Sequence, residues 1–177
     1  QPAFSNLFIQ TEILPVQHAL LCSRRPRSIE EKSPCMFHLL SMDGKHSEEI
    51  SYETDRFNFI GRGNSSVNPQ AMKSKGPLSG TQGAVLDPIV AIRYKITLEP
   101  EEKIILDMVT GMAETREACI GLINKYQDNK PHKDRVFEMA WTHSQIVLRQ
   151  INASENEAQL YGQLASSILF ANASFRA

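Results

Sequence analysis

Near Met112 the hydrophobic spacing of this chain changes period, and no other feature constrains its fold as strongly. Before that point Val90, Ile92, Tyr94, Ile96 and Leu98 alternate with Arg93, Lys95 and Thr97, and Ile104, Leu106 and Met108 alternate again. Period-two spacing places every second side chain on one face of a half-buried strand. The intervening Glu99-Pro100-Glu101-Glu102 turn predicts an antiparallel hairpin of these two strands. After Met112 the period becomes helical. Ala118, Cys119, Leu122, Ile123 and Tyr126 form a stripe behind an N-cap at Thr115. A second helix opens near Pro131, and its stripe carries Trp141, which is expected to pack in a core. A third opens with Ser154 and Glu157 in capping-box spacing. Strands followed by about three helices, with no alternating βαβ units, specify a mainly β fold with a helical extension and exclude a doubly wound sheet.

Further strands precede the hairpin. Phe4 to Leu14, Ala19 to Cys22, Met36 to Met42 (closed by the Asp43-Gly44 turn) and Ile50 to Ile60 all read as extended segments. Residues 61–84 form a long loop rich in Gly, Ser, Asn and Pro, of a length that in compact domains is functional or mobile. The expected partition is therefore residues 1–111 as strands of a β-sandwich and residues 112–177 as helices. The sequence stops just after the third helix with Phe175 still apolar, as expected of an internal piece of a longer polypeptide.

Composition narrows the function classes. A hydrophobic fraction of 41% supports a core, and 19 Lys and Arg against 20 Asp and Glu leave no basic field for nucleic acid. The short cluster Arg24, Arg25 and Arg27 is read as a solvated loop broken by Pro26. Cys22, Cys35 and Cys119 show no zinc spacing, and their odd number fits reduced thiols in a cytoplasmic setting. No apolar run is long enough to span a bilayer, so no membrane contact is expected from this segment. The sequons at Asn64, Asn152 and Asn172 are taken as coincidental. The five histidines are dispersed, and neither a metal site nor a cofactor site is expected.

The most tempting catalytic constellation is Tyr52-Glu53-Thr54-Asp55-Arg56. Alternate residues of a strand project to the same side roughly 6.5–7 Å apart, near the carboxylate spacing of an inverting glycosidase. Any acidic i, i+2 pair on a strand meets that criterion. A structural role for Glu53 and Asp55, pairing with Arg56 or Arg62 or anchoring the loop, is the expectation. Gly61-Arg62-Gly63 lacks the context of a nucleotide loop and reads as a turn with positive φ. Ser65 and Ser79 have no His or Asp partner apparent in the sequence.

Several longer motifs carry a resemblance. The run from Tyr52 to Gly63 reads YETDRFNFIGRG; Asn68-Pro69 follows, then Leu78 to Ile89, reading LSGTQGAVLDPI. Pro2 to Phe8, Arg24 to Ser28, Thr115 to Ala118, Ala140-Trp141-Thr142 and Leu164-Ala165-Ser166 complete the pattern in consistent order. Together they resemble the phosphorylase-like region of cyclic β-1,2-glucan synthases, and more distantly the cellobiose, chitobiose and β-1,2-oligoglucan phosphorylases of the same glycoside hydrolase family. Glu101 departs from the pattern, because relatives usually carry Gly there.

The resemblance implies part of an antiparallel, galactose-mutarotase-like supersandwich, then a helical linker toward an (α/α)6 barrel. It implies an inverting reaction in which a carboxylic acid protonates the leaving oxygen while phosphate attacks. That acid resides on the barrel, so no catalytic residue is expected in this chain and the isolated segment is expected to be inactive. Arg56 and Arg62 are the candidates for the rim of the substrate site. The implied partners are a β-glucan oligosaccharide met in the full-length enzyme, the rest of the parent polypeptide and a second copy in a homodimer. The parent is expected at the inner membrane, with this domain in the cytoplasm and a separate membrane-embedded region using UDP-glucose. The competing reading is a carbohydrate-binding or assembly sandwich without associated catalysis.

Overall fold

The computed structural model of the chain describes residues 7–26, 28–31, 33–43, 47–127 and 130–169. The start of the first expected strand (residues 4–6), Arg27, Gly44 of the expected turn, the Asn172 sequon and Phe175 lie outside the described residues. The chain divides into two compact units, residues 1–129 and 130–177.

In the first unit the strands are β1 (Ile9–Leu14), β2 (Ala19–Arg24), β3 (Cys35–Asp43), β4 (Ser47–Asp55), β5 (Gly83–Ala84), β6 (Pro88–Ile96) and β7 (Ile105–Ala113). Two short helices interrupt them, α1 (Arg56–Ile60) and α2 (Gln70–Lys73), and α3 (Arg116–Gln127) follows. An antiparallel sheet runs in the order β5-β1-β2-β3-β7, and β4 pairs with β6 in a separate two-stranded sheet. Mainly antiparallel β with a helical extension is thus the architecture.

The hairpin expectation needs correction. β6 and β7 do not pair: β6 lies against β4, and β7 against β3 with Phe37 opposite Gly111. The turn is present, with Glu102 N–H donating to the Glu99 carbonyl at 3.1 Å, but residues 97–104 carry the chain from one sheet to the other. Alternation reports that a strand is half-buried. It does not say which neighbour covers or pairs with it.

Glu101 in that turn has φ +66°, the left-handed region that suits glycine. A side chain there carries roughly 1–2 kcal/mol of steric cost. The extra freedom that glycine gives the unfolded chain returns roughly 0.5–1 kcal/mol of it. Glu101→Gly is therefore expected to stabilise the chain by about 0.5–1 kcal/mol. A urea midpoint that stays put or falls on this substitution would contradict the assignment of strain.

The core lies between one face of the larger sheet and α3. Leu14, Ala19, Leu21, Cys35, Phe37 and Leu39 from the strands meet Cys119 and Ile123 from the helix, all buried. Helix α3 starts as its sequence specifies: Thr115 Oγ1 accepts from Ala118 N–H at 3.1 Å. Arg116 then grips Glu12 on β1 with two bonds, Nε to Oε2 at 2.9 Å and Nη2 to Oε1 at 2.5 Å. That grip holds the Glu12 carboxyl below its ordinary range against the opposing effect of burial. Burial of the thiols pushes Cys22 up to about 11 and Cys35 up to about 12, the latter helped by the neighbouring Cys119, so neither is a nucleophile at neutral pH. Of the basic cluster, Arg24 ends β2 half-buried and Arg25 is exposed.

The second unit holds α4 (Lys130–Gln150) and α5 (Glu155–Leu169). Asn152, at φ +56°, ends α4: Asn152 N–H donates to Arg149 O at 3.2 Å and Ala153 N–H to Leu148 O at 2.9 Å, a Schellman closure. Ser154 and Glu157 then form the expected capping box, with Glu157 Oε2 accepting from Ser154 N–H and Oγ, both at 2.7 Å, and Glu157 N–H donating to Ser154 Oγ at 3.3 Å. Trp141 is a correction. Expected in a core, it is 66% exposed, with Phe137 of the same helix exposed as well, because an apolar helix stripe is buried only where a second layer covers it. Among the described residues, no helix is long and apolar enough to cross a membrane.

Candidate functional site

β4 was expected to run from Ile50 to Ile60, and it stops at Asp55. Asp55 has extended backbone and its Oδ1 accepts from Phe57 N–H at 2.8 Å, capping the single turn α1. Gly61 closes that turn at φ +77°, with its N–H donating to Phe57 O at 2.8 Å. A side chain at Gly61 would strike Gln70, whose Oε1 lies 2.2 Å from where a Cβ would stand. Asp before and Gly after a five-residue stretch was the signal for a helical turn, masked by the strand-like Phe57, Phe59 and Ile60.

The acidic pair does not form a glycosidase-like couple. The β4–β6 register shifts between Glu53 and Asp55, so the simple alternation that would put both carboxylates on one side is broken. Glu53 is 1% exposed. Its Oε1 accepts from the backbone N–H groups of Thr54 and Asp55, each at 2.9 Å, and its Oε2 accepts from Ser79 Oγ and, at 3.4 Å, Thr81 Oγ1. Glu53 therefore anchors the returning end of the 61–84 loop through hydroxyls, with neither Arg56 nor Arg62 as its partner. Ser79 has an acidic partner that sequence proximity could not show, 26 residues away.

More bonds stitch the same strip. Thr54 Oγ1 donates to Thr81 O at 2.7 Å and lies 2.6 Å from Thr11 Oγ1 on β1, which bonds Gly83 O at 3.2 Å. Gly80 N–H donates to Tyr52 O at 2.9 Å, and Asn58 Nδ2 to Thr81 Oγ1 at 2.9 Å. Arg93 holds the middle of the loop by donating to the carbonyls of Ala71, Ser74 and Gly76. The loop is thus a hydrogen-bonded strap containing α2 and β5 rather than unstructured chain.

The two candidate rim arginines line one open depression of about 620 Å³ together with Asp55, Phe57, Ile60, Asn64, Leu86 and Asp87. They differ in engagement. Arg56 Nε pairs with Asp87 Oδ2 at 3.2 Å, both side chains about half exposed, and Arg56 N–H donates to Asp87 O at 3.0 Å. The Arg62 guanidinium is exposed, with no hydrogen-bond or ion-pair partner among the described residues. Phe57 and Leu86, 66% and 74% exposed, stand in the same lining. Neither was singled out from the sequence, nor was Asp87; the Asp87–Arg56 pairing joins residues separated by the whole loop. Among the described residues, no three His, Cys, Asp or Glu side chains are grouped to hold a metal ion.

The family model described as "Glycosyl hydrolase 94, supersandwich domain" matches residues 1–129. Over 176 residues, 99% of this chain, the sequence is 28% identical to the cyclic beta-(1,2)-glucan synthase NdvB of Rhizobium meliloti (strain 1021). The chain spans 6% of that relative's length.

Proposed function

The chain belongs to the glycosyl hydrolase 94 supersandwich family, and from that premise we propose that it is the non-catalytic sandwich segment of an enzyme that makes or trims β-1,2-glucans. In this reading residues 1–111 supply sandwich strands, and the helices from residue 112 onward begin the linker toward a catalytic barrel. The chain's task is to support that barrel and to present a rim to its substrate, with the glucan, the remaining polypeptide and a second subunit as partners. The parent enzyme is membrane-bound and this segment faces the cytoplasm.

The observation that carries the reading is the depression holding Arg56 and Arg62. One arginine is fixed by Asp87 and the other has no partner among the described residues. A planar guanidinium held out into an open concavity suits the paired oxygens of sugar hydroxyls or phosphate. In the full-length enzyme, Arg62→Ala is expected to raise KM for glucan or phosphate severalfold. Stability is expected to stay within about 0.5 kcal/mol, the usual range for exposed changes. The purified 177-residue chain is expected to release no glucose 1-phosphate from the same substrates. Lost stability with an unaltered KM would retire the rim role.

A further inference from the structure

We propose that the depression between α1 and the Leu86–Asp87 turn is itself a sugar-binding subsite, seating one pyranose ring of a β-linked glucan on Phe57. The inference rests on the functional reading above and goes beyond it by assigning the contact chemistry to this chain's own residues. A pyranose with equatorial hydroxyls presents two kinds of surface: a flat C–H face, and a rim of groups that both donate and accept hydrogen bonds. A matching site needs an aromatic or apolar platform with a few planar polar groups around it. The depression supplies both. Phe57 and Leu86 are large apolar side chains left mostly exposed in one concavity. Around them stand Arg62, with no partner among the described residues, and the Arg56–Asp87 pair. Only Nε of the Arg56 side chain is engaged among the described residues. Arginine forks donate and carboxylates accept, so the pair can serve adjacent hydroxyls in both directions.

The platform is held rigidly. Asp55 caps the start of α1, Gly61 closes it, and Gln70 packs against Gly61 where any side chain would collide. The Asp87 turn is tied to the same helix start by the Arg56 N–H bond at 3.0 Å. The backbone that carries the platform is therefore ordered before a ligand arrives, and this lowers the cost of binding. The charge balance also selects among ligands. Asp55 and Asp87 line the depression beside the arginines, which disfavours a free phosphate dianion and suits a neutral polyol.

The test is a titration of the intact 177-residue chain with the β-1,2-linked glucose disaccharide, followed by amide and aromatic-ring NMR shifts, with inorganic phosphate in a parallel series. Saturable millimolar shifts are expected, confined to residues 55–64 and 86–87. Phe57→Ala is expected to weaken binding roughly tenfold or more while the remaining spectrum is unchanged, and Phe57→Trp to preserve it. The proposal is overturned by an absence of saturable shifts with the disaccharide, by equal binding in Phe57→Ala, or by shifts at this depression with phosphate in place of sugar. Failure here is separable from failure of the rim role. If Arg62→Ala still raises KM in the full-length enzyme, the rim stands and only the aromatic platform is lost.

Discussion

Glu53→Ala is expected to destabilise the chain by roughly 3–4 kcal/mol, among the largest effects available to a single polar substitution here. The side chain is 1% exposed and accepts from four donors: two backbone N–H groups and two hydroxyls. Removing it leaves the Thr54 and Asp55 N–H groups without their acceptor and opens a cavity beneath the loop, while the Ser79 and Thr81 hydroxyls, 3.4 Å apart, can turn to each other or to water. A buried unsatisfied donor costs about 1–3 kcal/mol, and local rearrangement or a bridging water recovers part of the sum. Glu53→Gln keeps the shape and the oxygen that the two backbone N–H groups need, and its NH2 group can donate to the Ser79 and Thr81 hydroxyls once they turn to accept, so only roughly 1 kcal/mol should be lost. Ser79→Ala removes one bond and should cost about 1 kcal/mol. Urea unfolding of the three variants measures the series directly, and an unchanged slope would show that the unfolded reference is the same. Equal midpoints for Glu53→Ala and the parent chain would mean that the carboxylate contributes nothing. In the full-length enzyme the same variant should lose activity only in step with lost folded protein.

That network also shows where sequence reading reached its limit. Period-two alternation located the strands, and the switch at Met112 located the helices. The Ser154–Glu157 capping box and the Thr115 cap were visible as short-range patterns because both partners lie within one helical turn. Pairing across sheets was not visible. β6 and β7 are adjacent in sequence and alternate in the same way, yet they belong to different sheets, and the choice was made by neighbours that local pattern does not encode. Glu53 was legible as an anchor for the loop, but its partners Ser79 and Thr81 were not, since the polar bonds that fix a loop join positions more than 25 residues apart. Arg56 and Arg62 stood out as rim candidates through family resemblance, whereas Phe57 fell within an expected strand and Leu86 was not singled out. Phe57 stands past the end of β4 at Asp55, the very boundary that the pattern misplaced.

Gly111→Val is expected to cost roughly 3 kcal/mol, and Gly111→Ala about 1–3 kcal/mol, by overpacking. Gly111 sits opposite Phe37 in the β3–β7 register, and the Phe37 ring, 1% exposed, lies over its backbone. A Cβ there would stand 2.6 and 2.7 Å from two ring carbons, inside contact distance. The ring cannot simply swing away, because it belongs to the core closed by Cys119 and Ile123 of α3. Glycine in mid-strand is ordinarily unfavourable. Here the aromatic ring covers the bare backbone, the cross-strand arrangement known to offset that cost. The pair is therefore predicted to be coupled. Phe37→Leu alone should destabilise by about 1–2 kcal/mol through lost packing, yet in the Gly111→Ala background it should cost less or even restore stability, since the smaller side chain relieves the clash. A double-mutant cycle on urea midpoints is expected to give a coupling of about 1 kcal/mol or more. Strict additivity of the two substitutions would show that ring and glycine are not in contact, and would count against the β3–β7 register itself, since a one-residue slip moves Phe37 off Gly111.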